Sequence, residues 1–393
     1  MPSWCSSRRA PPACARGGAE PCPGGPAGRQ LCQGDRAGEG TRIASWLPLY
    51  HDMGLMTAFL MPVHYGATVA CLDAFEWVMS PHLLLELMDR QRCTHAWLPN
   101  FAFNHLVRTK LGNETYALDH VAALINCSEP CKQATFDLFA ATFAGHGIRA
   151  EQLQVCYAMA ETVFAVSQTP LGRRPHTLWI DAGAAAANRI EPVAEGAAGA
   201  MPLLSNGPPI DGIVVRIGGG EAIGEIQLRG DCVFAGYLKA PDVTAQAFDD
   251  GWYRTGDIGS VIEGEIYVIG RLKDIIIHHG RNYHAHDIES VAGTVPGVKP
   301  GRCVALGVWD EEVGSEEVEL VAERDPAVAA EDKALRNALR QAIVRRFNLV
   351  ISKVHLVEPG WLVKTTSGKI SRKENLGKLL RDTHRAPAQP GKK

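Results

Sequence analysis

In SWLPLYHDMGLM (residues 45–56), three polar side chains that can take part in proton chemistry, Tyr50, His51 and Asp52, interrupt an apolar run. A surface turn between two core elements accounts for them, and so does the rim of a substrate pocket. Cys127 and Cys131, in CSEPC, have no second cysteine pair nearby, so their spacing does not match a paired zinc knuckle. Four histidines crowd HHGRNYHAH (278–286). Imidazoles are metal ligands, but the neighbouring Gly and Asn read as a loop whose histidines are solvated or contact a ligand. Three other stretches carry more: GWYRTGDIG (251–259), GRLKDIIIHHGRNYHAHDIE (270–289) and KTTSGKISR (364–372). TGD, GR or an exposed TTSGK turn alone means little. Their order and separation, with YAMAET (157–162) upstream, mark them as one set.

The elements that must hold these residues alternate from Ile43 onward. Ser80-Pro81 reads as an N-cap followed by Pro in the first helical turn, with Leu83, Leu84, Leu87 and Met88 on one face. THAWLP (94–99) reads as a buried strand, FAFNHLVRTKL (101–111) as a helix and VAALINCSEP (121–130) as a strand ending in a polar turn. KQATFDLFAATFAGHG (132–147) is a helix stopped by Gly145 and Gly147, and LQVCYAMAE (153–161) is another strand. This rhythm predicts an α/β fold, a parallel sheet with flanking helices, in which ligands bind beyond the carboxyl ends of the strands. His51, the turn Asn126–Pro130 and the segment Tyr157–Glu161 all fall near such ends. Gly54–Leu72 reads as a buried helix followed by a buried strand. Residues 169–203 read as an insertion or long loop, and residues 204–270 as short alternating strands. The chain after Gly270 reads as a compact α+β unit whose helix near 333–347 aligns Leu335, Leu339, Ile343 and Phe347.

Composition narrows the classes. With 393 residues, two or three domains are expected. A net charge of −3 gives no electrostatic case for nucleic acid or an anionic membrane. Pro62, His64 and Gly66 make Gly54–Leu72 a poor membrane span. No secretory h-region follows Arg8 and Arg9. Of eleven cysteines, Cys71, Cys156 and Cys303 lie in apolar strand-like runs, which suits buried reduced thiols in a cytoplasmic protein. Residues 1–42, rich in Pro and Gly without apolar periodicity, are predicted to be disordered.

From residue 43 to about 380 the chain resembles the adenylate-forming (AMP-binding) enzymes: acyl-CoA synthetases, peptide-synthetase adenylation domains and luciferases. WLPLYHDMGL, AETVFAVSQTPLG with the insertion after it, and GRLKDIIIHHGRNYH resemble most closely the fatty acyl-AMP ligases, which load acyl carrier proteins. The resemblance implies a role for each matching residue. Tyr157 stacks on adenine, Asn126 and Ser128 belong to the turn along the adenine, Asp257 accepts the ribose hydroxyls, and Arg271 lies near the ribose. Glu161 holds Mg²⁺ against the phosphates, Lys273 is the hinge, Lys369 is the catalytic lysine, and His51 is the pocket-rim residue beside the acyl carboxylate. The implied cofactors are ATP and Mg²⁺.

The same resemblance implies three segments. Residues 1–42 form a non-homologous N-terminus, residues 43–272 a large AMP-binding domain, and residues 273–393 a small C-terminal domain. The family's Ser/Thr/Gly-rich phosphate loop with its lysine finds no match before Ser45, so the large domain is expected to be truncated. Ala158 and Ala160 replace the family's common Gly and Thr; the alanine before Glu161 is a usual variant in the acyl-AMP ligase branch. The expected reaction activates a fatty acid or other carboxylic acid as acyl-AMP, then passes the acyl group to the phosphopantetheine thiol of an acyl carrier protein. The alternatives are a ligase using free CoA and an impaired remnant that binds AMP or acyl-AMP.

Overall fold

The structure, a computed structural model, describes residues 40–109, 114–310, 315–364 and 369–383. The chain divides into two compact units: residues up to 178 with 202–268, and residues 179–201 with 269 onward.

The first unit opens with β1 (Arg42–Ser45), α1 (Asp52–Leu55), a π-helical turn (Met56–Leu60), α2 (Met61–Tyr65) and β2 (Thr68–Cys71). Next come α3 (Ala74–Met79), α4 (Leu83–Arg90), β3 (His95–Leu98), α5 (Asn100–Arg108), β4 (Ala123–Cys127), α6 (Gln133–Phe143), β5 (Leu153–Ala158) and β6 (Ala165–Gln168). The sheet order is β2-β1-β3-β4-β5-β6. All pairs are parallel except β5–β6. Parallel neighbours cannot be joined by a tight turn, so helices such as α5 and α6 make the crossovers. Successive strand residues face opposite cores. Ala96 and Leu98 join Trp77, Leu84, Phe103 and Phe139, while Trp97 joins Ile43, Ile125 and Phe164. Burial on both faces is why β3, β4 and β5 read as unbroken apolar runs.

The chain continues through β7 (Thr177–Asp181), α7 (Ala182–Ala186) and β8 (Ala200–Leu204). A second sheet follows: β9 (Ile213–Ile217), β10 (Gly224–Gly230), α8 (Pro241–Ala247), β11 (Phe248–Asp249), β12 (Trp252–Ile262) and β13 (Glu265–Arg271), ordered β11-β12-β10-β9 with β13 on β12. Ile226, Leu228, Tyr253 and Ile266 enter the Trp97 core, so this sheet packs on that face of the first.

The second unit carries the hairpin of β14 (Ile275–His278) and β15 (Arg281–His284), then α9 (Ala285–Ala292), β16 (Val298–Asp310), β17 (Ser315–Arg324), α10 (Asp332–Phe347), β18 (Lys353–Val357) and α11 (Arg372–Asp382). Its sheet is β16-β17-β18. One face, with Ala305 and Leu320, packs on Leu335, Leu339 and Ile343 of α10; the other, with Val304 and Val321, packs on Leu362 and Leu379.

Several expectations change. Ser80 closes α3, its amide bonding to the carbonyl of Glu76, while Asp73 caps the start of α3 by accepting from the amides of Phe75 and Glu76 and His82 precedes the next helix. α4 then starts after a turn and fully buries Leu84, Leu85 and Met88, leaving Leu83 and Leu87 half-buried. α6 does not stop at Gly145; a 3₁₀ turn carries it on to Gly147, which has φ 89°. β2 is an edge strand paired on one side, so Cys71 is exposed, not buried. Residues 169–203, read as a loop, contain β7, α7 and the start of β8, and residues 179–201 belong to the second unit. The helix read over 101–111 ends at Arg108, and residues 110–111, like most of 1–42, lie outside the described residues.

Candidate functional site

The TGD motif is a bulge. Glu225 of β10 faces Ile258 of β12 and Gln227 faces Arg254, so two steps along β10 oppose four along β12. The surplus is taken up around Thr255–Gly256–Asp257. Gly256 adopts φ 70°, a left-handed conformation that suits glycine. The Thr255 hydroxyl donates to the carbonyl of Ile226 (2.7 Å) and accepts from the amide of Asp257 (3.0 Å), and the Gly256 amide donates to Glu225 Oε1 (3.0 Å). Asp257 is thereby aimed inward, 4% exposed.

Opposite it stands Tyr157, at the end of β5, where pairing with β6 also slips register. The Tyr157 hydroxyl donates to Asp257 Oδ2 at 2.7 Å. The two residues read from motifs 100 positions apart therefore meet between the two sheets of the first unit.

Glu161 follows in a 3₁₀ turn, Ala160–Thr162. Its Oε1 accepts from the Tyr237 hydroxyl at 2.9 Å, and its carbonyl accepts from the amide of Phe234 at 2.8 Å. Burial raises the Tyr237 phenol above its ordinary range. Burial also raises Tyr253, helped by its hydrogen bond to Tyr237 and by the carboxylates of Glu161 and Asp257. Both phenols stay protonated, so each retains a proton to donate toward this carboxylate cluster. Val163, just past the turn, has φ 70° and ψ −52°, the strained γ-turn conformation, with a β-branched side chain. Such strain persists only where surrounding structure holds it.

Asn126, at the end of β4, is fully buried. Its Nδ2 donates to Asn100 Oδ1 at 2.9 Å, while its Oδ1 is buried without a hydrogen-bond partner among the described residues. Ser128 has φ 69°, and its hydroxyl lies 3.9 Å from the sulfur of Met53 in α1. His51 is the N-cap of α1; its Nδ1 lies 3.2 Å from the amide of Met53 and 2.7 Å from Asp52 Oδ1. The turn after β4 thus sits against the helix that His51 begins. Cys131 donates its thiol to the carbonyls of Asn126 and Glu129, and burial raises it well above the ordinary thiol range.

The remaining sequence-assigned residues belong to the second unit. Arg271 ends β13 and Lys273 lies in the 3₁₀ turn Leu272–Asp274; both are exposed. Lys369 is exposed beside a bridge that pairs Lys364 with Ile370; residues 365–368 of its loop lie outside the described residues. Two residues that the motifs did not single out anchor this loop. Asn375, fully buried on α11, accepts from the amide of Val363 and donates to the carbonyls of Val363 and Ser371. Arg372 donates to Asp274 Oδ2 (2.7 Å) and grips Glu289 with two nitrogens (3.1 and 2.6 Å). Burial raises the Glu289 carboxyl, against the pull of Arg372. Arg372 was visible in KTTSGKISR. Asn375 had only the signal of a polar residue on an amphipathic helix, Tyr253 and Val163 lay inside quoted stretches but were given no role, and Tyr237 had no signal.

A family profile described as "AMP-binding enzyme" matches residues 27–238. The long-chain-fatty-acid–AMP ligase FadD26 of Mycobacterium bovis is 31% identical over 358 residues, 84% of this chain and 60% of that one. The 4-hydroxyphenylalkanoate adenylyltransferase of Mycobacterium marinum is 32% identical over 356 residues, 84% of this chain and 56% of that one. The chain therefore spans about three fifths of the length of these curated relatives. Among solved structures, one described under fatty acyl-adenylate ligases from E. coli and L. pneumophila superposes with a TM-score of 0.80 at 25% identity, covering 90% of this chain and 65% of that one. With a profile match over more than half its length, this chain belongs to the AMP-binding enzyme family.

Proposed function

We propose that the protein activates a carboxylic acid, most simply a fatty acid, as its adenylate, and that the acyl group then passes to a carrier-protein phosphopantetheine thiol. In the first step a carboxylate oxygen attacks the α-phosphorus of the substrate ATP. The new O–P bond gives acyl-AMP, and the bond to the β-phosphate breaks to release pyrophosphate. In the second step the thiol sulfur attacks the acyl carbonyl, AMP leaves, and the thiol proton goes to solvent. The observation that carries this reading is the buried Tyr157–Asp257 pair. It puts a carboxylate with two acceptor oxygens, suited to vicinal ribose hydroxyls, beside an aromatic ring. The unpartnered Oδ1 of Asn126 offers an acceptor for an exocyclic amine at the end of the neighbouring strand. Lys369 would supply positive charge as negative charge builds on the phosphoryl oxygens. Glu161 fits a Mg²⁺ ligand, because that ion takes one or two carboxylates and leaves its other positions to phosphates and water. Bound there, Mg²⁺ would neutralise phosphate charge.

Support for an acyl-AMP ligase comes from the FadD26 relative and the acyl-adenylate ligase structure. The free thiols of Cys71, Cys93, Cys127, Cys131, Cys232 and Cys303 favour a reducing compartment, so we place the protein in the cytoplasm. No helix among the described residues is long and apolar enough to cross a membrane.

The test is fatty-acid-dependent ATP–pyrophosphate exchange. In the enzyme restored to the length of its relatives with a phosphate loop, Lys369→Ala is expected to abolish exchange while leaving the thermal midpoint unchanged, since the side chain is exposed. A loss below about tenfold, ~1.4 kcal/mol of barrier, would remove Lys369 from the chemistry. A second reading, nucleotide binding without turnover, applies to the isolated 393-residue polypeptide, which has no lysine before Lys110 and no Ser/Thr-Gly-x-Lys pattern before Ser45. The 393-residue polypeptide by itself is accordingly expected to bind AMP and exchange poorly. Exchange at the rate of a full-length relative would overturn that second reading.

A further inference from the structure

The histidine-rich stretch that the AMP-binding motifs do not use folds into a specific arrangement. β14 and β15 pair from Ile275↔His284 to His278↔Arg281, so His279 and Gly280 form a two-residue turn. Both have positive φ, 48° and 73°, as a type I′ turn requires. Glycine or asparagine normally fills such a position, and here one of the two is a histidine whose ring is exposed.

The hairpin tip is tied to the start of β17. The Ile277 amide donates to Glu316 Oε2 (2.7 Å), the His279 amide donates to the Ser315 hydroxyl (2.9 Å), and that hydroxyl donates to the carbonyl of Ile277 (3.2 Å). His278 Nδ1 lies 2.7 Å from the carbonyl oxygen of Glu316. A carbonyl can only accept, so Nδ1 carries a proton and Nε2 is the nitrogen left to face a metal ion. Metal-binding histidines commonly have this partner arrangement, with the ring oriented by an N–H to a backbone carbonyl. The rings of His278 and His279 stand 4.1 Å apart at 61°. Glu317, the next residue on β17, brings a half-buried carboxylate alongside. One donor atom from each of His278, His279 and Glu317 lies within 4.8 Å of the others.

We propose that His278, His279 and Glu317 form a binding site for a borderline divalent transition-metal ion such as Zn²⁺, which staples the β14–β15 hairpin to β17. Donor atoms around tetrahedral zinc sit about 3.3 Å apart. Closing from 4.8 Å needs only side-chain movement, which the exposed His279 and half-buried Glu317 can make. Two imidazoles and one carboxylate select zinc, cobalt or nickel over the hard oxygen-seeking ions Mg²⁺ and Ca²⁺. The fourth position is left for water. The set differs in chemistry from Glu161, a lone carboxylate.

Titration of the untagged 393-residue protein with Co²⁺, and with Zn²⁺ against a chromophoric chelator, tests the site. Binding of one equivalent, with cobalt d–d bands and no thiolate charge-transfer band, is expected. His279→Asn keeps a residue suited to the positive-φ turn and Glu317→Gln keeps the shape of the side chain. Each should weaken binding at least tenfold without lowering the metal-free thermal midpoint. Zn²⁺ should raise the midpoint of the wild type but not of the double variant, and Mg²⁺ should raise neither. Unchanged affinity in both variants, a thiolate band, or no binding at all would overturn the proposal.

Discussion

At the scale of single residues, two buried positions define measurable behaviour. His95 is 4% exposed on β3, and burial lowers its ring from 6.5 to about 4. Folding therefore favours the neutral ring. Its contribution is complete above the unfolded value of 6.5 and is lost progressively as pH falls from there toward about 4. The stability difference between pH 7 and pH 4 should shrink by about 3 kcal/mol in His95→Gln. Urea midpoints of the two proteins across that range give the answer, and parallel pH profiles would refute it. Val163 is the opposite case, a strained residue whose side chain is 41% exposed. Val163→Gly removes the strain and loses little burial, so the melting temperature should rise, by about 1 kcal/mol in stability. An unchanged or lower midpoint would show that the γ-turn costs nothing here. Sequence reading singled out Tyr157 and Asp257, which the fold brings into a hydrogen bond, because short motifs fix residue types. It gave no role to Tyr253, although that residue lies in GWYRTGDIG, and it did not find Tyr237, which lies in no motif and meets Glu161 only through the fold.

At the scale of elements, the parallel strands were legible because burial on both faces leaves apolar runs, and the helices because their apolar stripes repeat. Where competition between neighbours decides, the local signal failed. Ser80 has the chemistry of an N-cap, but α3 takes it as an end. β2 has an apolar sequence, yet its position at the sheet edge leaves Cys71 exposed. The loop of Lys369 shows a different limit: of its anchors, Arg372 reaches Asp274 and Glu289 far back in the sequence, and Asn375 is a buried amide on a polar-looking helix. Arg372→Ala should strand the Glu289 carboxylate in a largely buried site and cost about 3 kcal/mol. Amide exchange should quicken first in α11 and the Ser371 region, with α10 protected until global unfolding. Arg372→Lys should recover less than half of the loss, since lysine cannot make the two-nitrogen grip. Uniform loss of protection across the second unit would mean that the ion pair supports the whole unit and not the loop.

At the scale of the whole molecule, we expect the chain to separate near the Lys273 turn. Limited proteolysis should cut at about residues 270–275 and leave β16, β17 and α10 intact. Cleavage within 303–347 with the junction protected would refute this. A fragment beginning there would lack residues 179–201, which the second unit uses: Arg346 donates to the carbonyl of Ala200 at 2.6 Å, and Asn282 to Asn188 at 3.4 Å. Composition could not show this, because the partners are a Gly- and Ala-rich stretch and a strand and a helix far along the chain. The bulge at Thr255–Gly256–Asp257 has a consequence for how this sequence can change in length. Its two surplus residues are an even number, so β12 presents the same alternation to β10 on either side of it. Loss of Gly256 alone would leave an odd surplus and turn the buried Ile258 and Ser260 toward the face on which Val261 is exposed. Chains shortened by one residue at this point should fail to accumulate as folded protein, and an indel library spanning residues 250–262 should return survivors only in steps of two.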